Sequence, residues 1–321
     1  MRILLCALIL LVGIFVPAAA QPADWLKHFA YDQKAPLGIK ELKVEQRGDV
    51  SIHDLTYVSP KGGVVPAYLV VPKGNGPFAG IIWGHWYWEN SPQRNRTEFL
   101  DEAVALAQAG VVSLLTDGPV ARPDHVEDKT PLSEKKVADQ VQQVIDFRRG
   151  VDLLLARKDV DPKRLAYVGH SYNATTGAFL SGVDKRFKAF VLMAGLLSDE
   201  VDFKGKEYED FRQKMGPEKF DAFVTNHPWL NEGKYVANAA PAYVFLQYAS
   251  QESFLNPDRA REYLKVVSSP KKLEIYDAPH ALNAAARRDR IAFLTEQLKL
   301  TPLPPEVVAK IPDLYQPPSP N

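Results

Sequence analysis

Residues 164–180 read Arg-Leu-Ala-Tyr-Val-Gly-His-Ser-Tyr-Asn-Ala-Thr-Thr-Gly-Ala-Phe-Leu, and no other stretch restricts the fold as much. Leu165 to Val168 is a short apolar run that reads as a buried strand, and from Ala174 the small residues suit a closely packed helix. Between them lies Gly169-His170-Ser171-Tyr172-Asn173. A strand, a sharp turn carrying a serine and then a helix form a nucleophile elbow, which exposes the hydroxyl at the top of a parallel sheet. The pattern is G-x-S-x-G, and Asn173 stands where the second glycine is usual. A serine in an ordinary βα turn is the alternative, so the rest of the chain must supply its partners.

The flanking sequence alternates between strand and helix. Ile52–Val58 and Val64–Val71 read as two strands joined by the turn Ser59-Pro-Lys-Gly-Gly63, an antiparallel edge. Phe78–Trp83 is a continuous apolar run, the signature of an inner strand covered on both faces. A helix over Phe99–Ala107 stopped by Gly110, a strand over Val111–Leu115 and a long amphipathic helix over Val137–Leu155 lead to the elbow. Three later strands, Phe187–Met193, Ala242–Leu246 and Lys272–Tyr276, are followed after the last two by helices near 258–267 and 287–298. The segment 24–46 predicts only a short helix and an extended lead-in. This order implies an α/β chain with a mainly parallel twisted sheet and helices on both faces.

Two segments flank the main domain at 21–300, and a third is inserted within it. Residues 1–20 resemble a secretory signal, with Arg2, the apolar run Ile3–Val16 and the small residues Ala18-Ala19-Ala20. That run is shorter than the ~20 residues needed to span a bilayer, so export with cleavage, to the periplasm or outside the cell, is expected in place of a membrane anchor. Residues 198–238 are too long for a simple crossover and predict a small lid insertion with helices near 207–215 and 218–224. The tail 301–321 carries seven prolines and predicts only a wrapped or disordered extension.

The 39 basic side chains balance 39 acidic ones, which removes the net field that recruits nucleic acid or anionic lipid. Cys6, the single cysteine, would leave with the signal, so no disulfide, cysteine nucleophile or cysteine metal site is expected. No metal or nucleotide motif is present, and neither cofactor nor metal is predicted.

A serine hydroxyl needs an adjacent base, itself oriented by an acid. Where such an elbow is used, acid and histidine follow the serine in chain order. His280, in Asp277-Ala-Pro-His-Ala-Leu-Asn283, follows the last strand and precedes a helix, which makes it the candidate base. Glu252 is the single carboxylate between Gln247 and Pro257, after the preceding strand, and is the candidate acid; Asp199 is the fallback, with Asp202 and Asp277 behind it. Two main-chain N–H groups must hold the oxyanion. Tyr172, next to the serine, supplies one, and the loop Gly84-His85-Trp86-Tyr87-Trp88 supplies the other from Trp86 or Tyr87, with Trp86 favoured. His85, Tyr87, Trp88 and Trp229 are the candidate pocket residues, and the competing reading is an aromatic cluster packed beneath the lid. His170 reads as packing and Asp117 as a turn former.

Gly169-His-Ser-Tyr, Asp184-Lys-Arg-Phe-Lys-Ala-Phe-Val-Leu-Met-Ala-Gly, Tyr276-Asp-Ala-Pro-His and Arg287-Arg-Asp-Arg-Ile-Ala-Phe-Leu together resemble the α/β-hydrolase superfamily. The similarity runs from about Val50 to Leu300, and its nearest branches are dienelactone-hydrolase-like esterases and the catalytic domain of prolyl oligopeptidases. It implies an α/β-hydrolase fold, and Glu252, followed by Ser-Phe-Leu-Asn-Pro257, matches the place of the family's acid, where aspartate is usual. The expected activity is acyl-enzyme cleavage of a small-molecule carboxylic ester by Ser171, His280 and Glu252. The alternatives are a small peptidase acting on short peptides, or a catalytically silent binding protein; the chain is too short to add that family's gating propeller.

Overall fold

The apolar run that begins at Phe78 becomes the middle strand of a nine-stranded sheet. In a computed structural model, which describes residues 24–88, 91–130, 132–195, 206–252 and 257–314, Phe78–Gly84 is buried at every position. The strands are β1 (Lys40–Arg47), β2 (Val50–Val58), β3 (Val64–Pro72), β4 (Phe78–Gly84), β5 (Val111–Thr116), β6 (Val160–His170), β7 (Ala189–Met193), β8 (Tyr243–Ala249) and β9 (Lys271–Tyr276). Their spatial order is β1-β2-β3-β5-β4-β6-β7-β8-β9. The pairs among β1, β2, β3 and β5 are antiparallel, whereas β5 through β9 run parallel. The antiparallel edge and parallel remainder agree with the sequence reading. Strand β1 was read only as an extended lead-in, and all eight of its residues are exposed, so it has no buried face to advertise itself.

The helices are α1 (Leu100–Ala107), α2 (Glu134–Ala156), α3 (Tyr172–Val183), α4 (Lys206–Met215), α5 (Pro217–Asn226), α6 (Glu232–Val236), α7 (Pro257–Val266), α8 (Ala284–Leu298) and α9 (Pro305–Ala309). One apolar layer joins the sheet to α2, α3, α6 and α7 through Val144, Phe147, Phe179, Tyr235 and Tyr263. The other joins it to α1, α8 and α9 through Phe99, Leu106, Ile291, Leu294 and Val308. The tail is therefore packed as far as it is described: Val308 and Ile311 are both buried. Helix α2 begins at Ser133, whose hydroxyl accepts the Lys136 N–H at 3.2 Å.

Helices α4, α5 and α6 fill the crossover between β7 and β8. Asp199, Asp202 and the signal-like segment lie outside the described residues. Among the described residues no helix is long and apolar enough to cross a membrane.

Candidate active site

Ser171 sits between β6 and α3 with φ 53° and ψ −114°, a conformation that L-residues avoid and that sites hold under strain. The turn is fixed from both sides. Ser171 N–H donates to Met193 O at 2.7 Å, while Ser171 O accepts from Ala174 N and Thr175 N at 2.9 and 3.1 Å. Asn173 closes the elbow where glycine is usual. Its side-chain amide donates to His85 O at 2.6 Å, and its main-chain oxygen accepts the Tyr167 hydroxyl at 2.6 Å. Space for it comes from Gly84, where a β-carbon would stand 2.6 Å from Asn173 Cβ. The elbow survives because the neighbouring strand gave up its side chain.

The loops after β8 and β9 are zipped together. Ser250 N–H donates to Tyr276 O at 2.9 Å and Gln251 N–H to Ala278 O at 3.2 Å, which carries Glu252 alongside His280. His280 Nδ1 lies 2.5 Å from Glu252 Oε1, and both side chains are more than nine-tenths buried. A carboxylate accepts, so Nδ1 carries the hydrogen and Nε2 is the basic nitrogen. Past His280, Leu282 adopts φ 62°, and Asn283 Oδ1 caps α8 by accepting from Ala285 N and Ala286 N at 3.0 and 3.1 Å. Asp277 is exposed, and its carboxylate accepts from Gln251 Nε2 at 2.8 Å.

The loop after β4 departs from the sequence reading. Trp86 N–H donates to Glu98 Oε2 at 2.5 Å, so the favoured oxyanion donor is already engaged with a buried carboxyl. The Trp86 indole is fully buried and stacks on His170 and His280, with ring centroids 5.0 and 6.1 Å away. His85 is a knot in the loop and no pocket wall. Its Nδ1 donates to Trp86 O at 2.6 Å, its Nε2 accepts Gly118 N–H at 2.9 Å, and burial lowers its pKa. Trp88 packs on His280 with ring centroids 5.4 Å apart. Trp229 stacks on His28 at 3.9 Å. Tyr87 alone of the four candidates lines a large cavity.

That cavity of about 390 Å³ opens beside the elbow, between Tyr87 and Tyr172. Its apolar wall is made by Val120, Val137, Phe179, Phe211, Phe223 and Leu230, each drawn from a different helix or loop. Asp117 is also more than a turn former: it accepts Arg96 N at 2.8 Å and Arg96 Nη1 at 2.6 Å, pinning the loop that leads to Glu98. His170, read as packing, contacts the main chain of His280 through Nε2 at 3.0 Å. Among the described residues no group of three His, Cys, Asp or Glu side chains is disposed to hold a metal ion.

No family model and no curated protein matches the chain. Solved structures do. An acetyl xylan esterase from a Paenibacillus species superposes with a TM-score of 0.68 at 18% identity, covering 85% of this chain and 93% of that one. An acetyl xylan esterase from a Thermoanaerobacterium species gives 0.66 at 17% identity, with 85% and 92% covered. An alpha/beta hydrolase from a Penicillium species gives 0.57 at 14% identity, with 77% and 98% covered. The antiparallel edge, the parallel strands and the strained turn after β6 lead to the same conclusion as these superpositions: the chain has the α/β-hydrolase fold.

Proposed function

We propose that this chain is a serine hydrolase that cleaves carboxylic esters through an acyl-enzyme. The observation that carries this reading is the 2.5 Å pairing of Glu252 with His280, together with the 3.0 Å contact from the main-chain oxygen of His280 to Nε2 of His170, the residue before a serine at φ 53°. Ser171 Oγ attacks the ester carbonyl carbon while His280 Nε2 takes its proton. Glu252 accepts the Nδ1–H, fixing the ring and stabilising the imidazolium that forms. The tetrahedral intermediate expels the alcohol, which takes the proton back from His280. Water then repeats the sequence on the acyl-enzyme and releases the acid.

The oxyanion is received by two main-chain N–H groups. Tyr172 is the first residue of α3, and N–H groups of a first helical turn have no partner within the helix. The second donor is Tyr87 N–H, one position beyond the engaged Trp86, because Tyr87 borders the cavity next to the elbow. The neighbouring acetyl xylan esterases share this fold, which supports an ester substrate. The cavity here takes the apolar part of that ester. An engineered apolar cavity of ~150 Å³ holds benzene, so 390 Å³ accommodates a ring with substituents.

Export is the second part of the proposal, carried by the charged start, apolar run and small residues of segment 1–20. N-terminal sequencing of the exported protein should find the chain starting near residue 21. A panel of esters varied in acyl and alcohol groups, assayed beside short peptides, tests the chemistry. Turnover of esters that Ser171→Ala abolishes supports the reading, and peptide turnover with inert esters overturns it.

A further inference from the structure

Behind His280 lies a second histidine–carboxyl pair that the reaction above does not use. Glu98 precedes α1 and His170 ends β6, and both side chains are fully buried. Glu98 Oε1 is 2.6 Å from His170 Nδ1, and His170 Nε2 is 3.0 Å from the main-chain oxygen of His280. The other carboxyl oxygen of Glu98 accepts Trp86 N–H at 2.5 Å. Trp86 covers the assembly, stacked on both histidine rings at interplanar angles of 19° and 9°.

Hydrogen-bond chemistry determines where the protons are. A carbonyl oxygen only accepts, so His170 Nε2 must carry a hydrogen and donate it to His280 O. A single proton is then shared between Glu98 Oε1 and His170 Nδ1. Placed on Nδ1, it makes an ion pair in a site sealed from water; placed on Glu98, it makes a neutral relay of acid to imidazole to carbonyl. Burial favours the neutral form. It pushes Glu98 up to about 8, against the opposing pull of Trp86 N–H and of the facing His85, Arg290 and His280. It pushes His170 down to about 4, against the bond to His280 O and the nearby Glu252, with Arg290 acting in the same direction as burial.

We propose that Glu98 and His170 are positioning residues, a neutral relay that ties the oxyanion loop, the elbow and the histidine loop into one frame. The two atoms that it holds directly are the N–H of Trp86, one residue before the proposed donor Tyr87, and the carbonyl of His280 itself. Ionising Glu98 sets a carboxylate against the imidazole lone pair at Nδ1 and loosens that frame. The inference rests on Ser171, His280 and Glu252 acting as proposed.

Glutamine reproduces the neutral acid atom for atom, since its carbonyl oxygen can accept Trp86 N–H while its amide donates to His170 Nδ1. The experiment measures kcat, KM and the pH profile of ester hydrolysis for wild type, Glu98→Gln and Glu98→Ala. In wild type, kcat should decline above about pH 8. Glu98→Gln should keep kcat within about threefold at pH 7 and lose that alkaline decline. Glu98→Ala should lower kcat on the order of 10²-fold with little change in KM, as misplacement of reacting groups by about 1 Å does. An alkaline limb that is the same in wild type and Glu98→Gln overturns the proposal, even if Glu98→Ala does not fold. So does Glu98→Gln as impaired as Glu98→Ala, or Glu98→Ala with wild-type kcat. A wild-type protein that hydrolyses no ester in the panel fails the hydrolase reading instead, a result separable from these.

Discussion

The side-chain amide of Asn173 donates to the main-chain oxygen of His85 across 2.6 Å, tying the residue that closes the elbow to the loop proposed to carry the second oxyanion donor. Where the pattern has glycine, this chain has a tie. Removing it leaves a buried carbonyl unsatisfied, which costs about 1–3 kcal/mol. Asn173→Ala and Asn173→Gly should both lower unfolding free energy by that amount and reduce kcat/KM about tenfold as the loop loosens. Denaturant melts and steady-state kinetics check this, and an Asn173→Gly protein more stable and more active than wild type would contradict it. Gly84→Ala tests the same contact from the other side. Its β-carbon would meet both Asn173 Cβ and the Tyr167 hydroxyl at 2.6 Å, an overpacking worth about 1–3 kcal/mol.

Glu252→Gln should lower kcat about 10³–10⁴-fold with the fold intact, because an amide facing Nδ1 favours the wrong tautomer of His280. Asp277→Asn is the matched control. Its carboxylate is engaged by Gln251 Nε2 at 2.8 Å, so the variant should stay within twofold of wild type, roughly the spread of ordinary surface substitutions. Activity near wild type in Glu252→Gln would move the search for the acid to Asp199.

The cavity makes a prediction about substrate shape. Val137 lies on α2 in its apolar wall. Val137→Trp should cut kcat/KM for esters with a ring-sized apolar group by at least about tenfold, within the 1–3 kcal/mol that a pocket contact supplies. Acetyl esters of small alcohols, which need little of the space, should change less than threefold on the same scale. Equal losses for both ester classes would show that the cavity does not hold the substrate.

Stability should depend on pH through Glu98 and His170 in opposite directions. Glu98 is raised from 4.5 to about 8, so between those values the native chain holds a proton that the unfolded chain has released, and stability falls as pH rises. His170 is lowered from 6.5 to about 4, so between those values the unfolded chain holds the extra proton, and stability rises with pH. The two slopes oppose each other between 4.5 and 6.5. From 6.5 to about 8 the Glu98 slope stands alone, a loss approaching 1.4 kcal/mol per pH unit. Urea melts at half-unit steps should show that loss in wild type and not in Glu98→Gln; equal slopes would contradict it.

The parts of this site that could be read from the sequence are those set by chain order and local pattern. Ser171 lies in a strand–turn–helix, and Glu252 and His280 each follow an apolar strand, so their positions follow from the elements. The choice between Trp86 and Tyr87 was not legible, because it turns on Glu98, twelve residues away, reaching back to one N–H. Glu98 did leave a trace. It and Glu102 are four apart, in register with Phe99, Ala103 and Leu106, so Glu98, just before α1, and Glu102, within it, fall on the apolar side of one helical pattern. Glu102 indeed meets Arg290 in a buried pair at 2.6 Å. The cavity wall is beyond such reading, since Val120, Val137, Phe179 and Phe223 meet only in the folded chain. Trp229 looked like a pocket residue because aromatics suit pockets, yet they suit cores equally, and it packs on Phe29 and His28.

The central claim is that Ser171 is a nucleophile activated by His280. Reacting the folded protein with a fluorophosphonate and mapping the adduct by mass spectrometry addresses it directly. The account predicts one adduct on the peptide containing Ser171, formed in step with loss of ester hydrolysis, absent in Ser171→Ala and strongly slowed in His280→Ala. A folded wild-type protein that stays unmodified at Ser171, or that keeps hydrolysing esters once Ser171 is replaced, would contradict it.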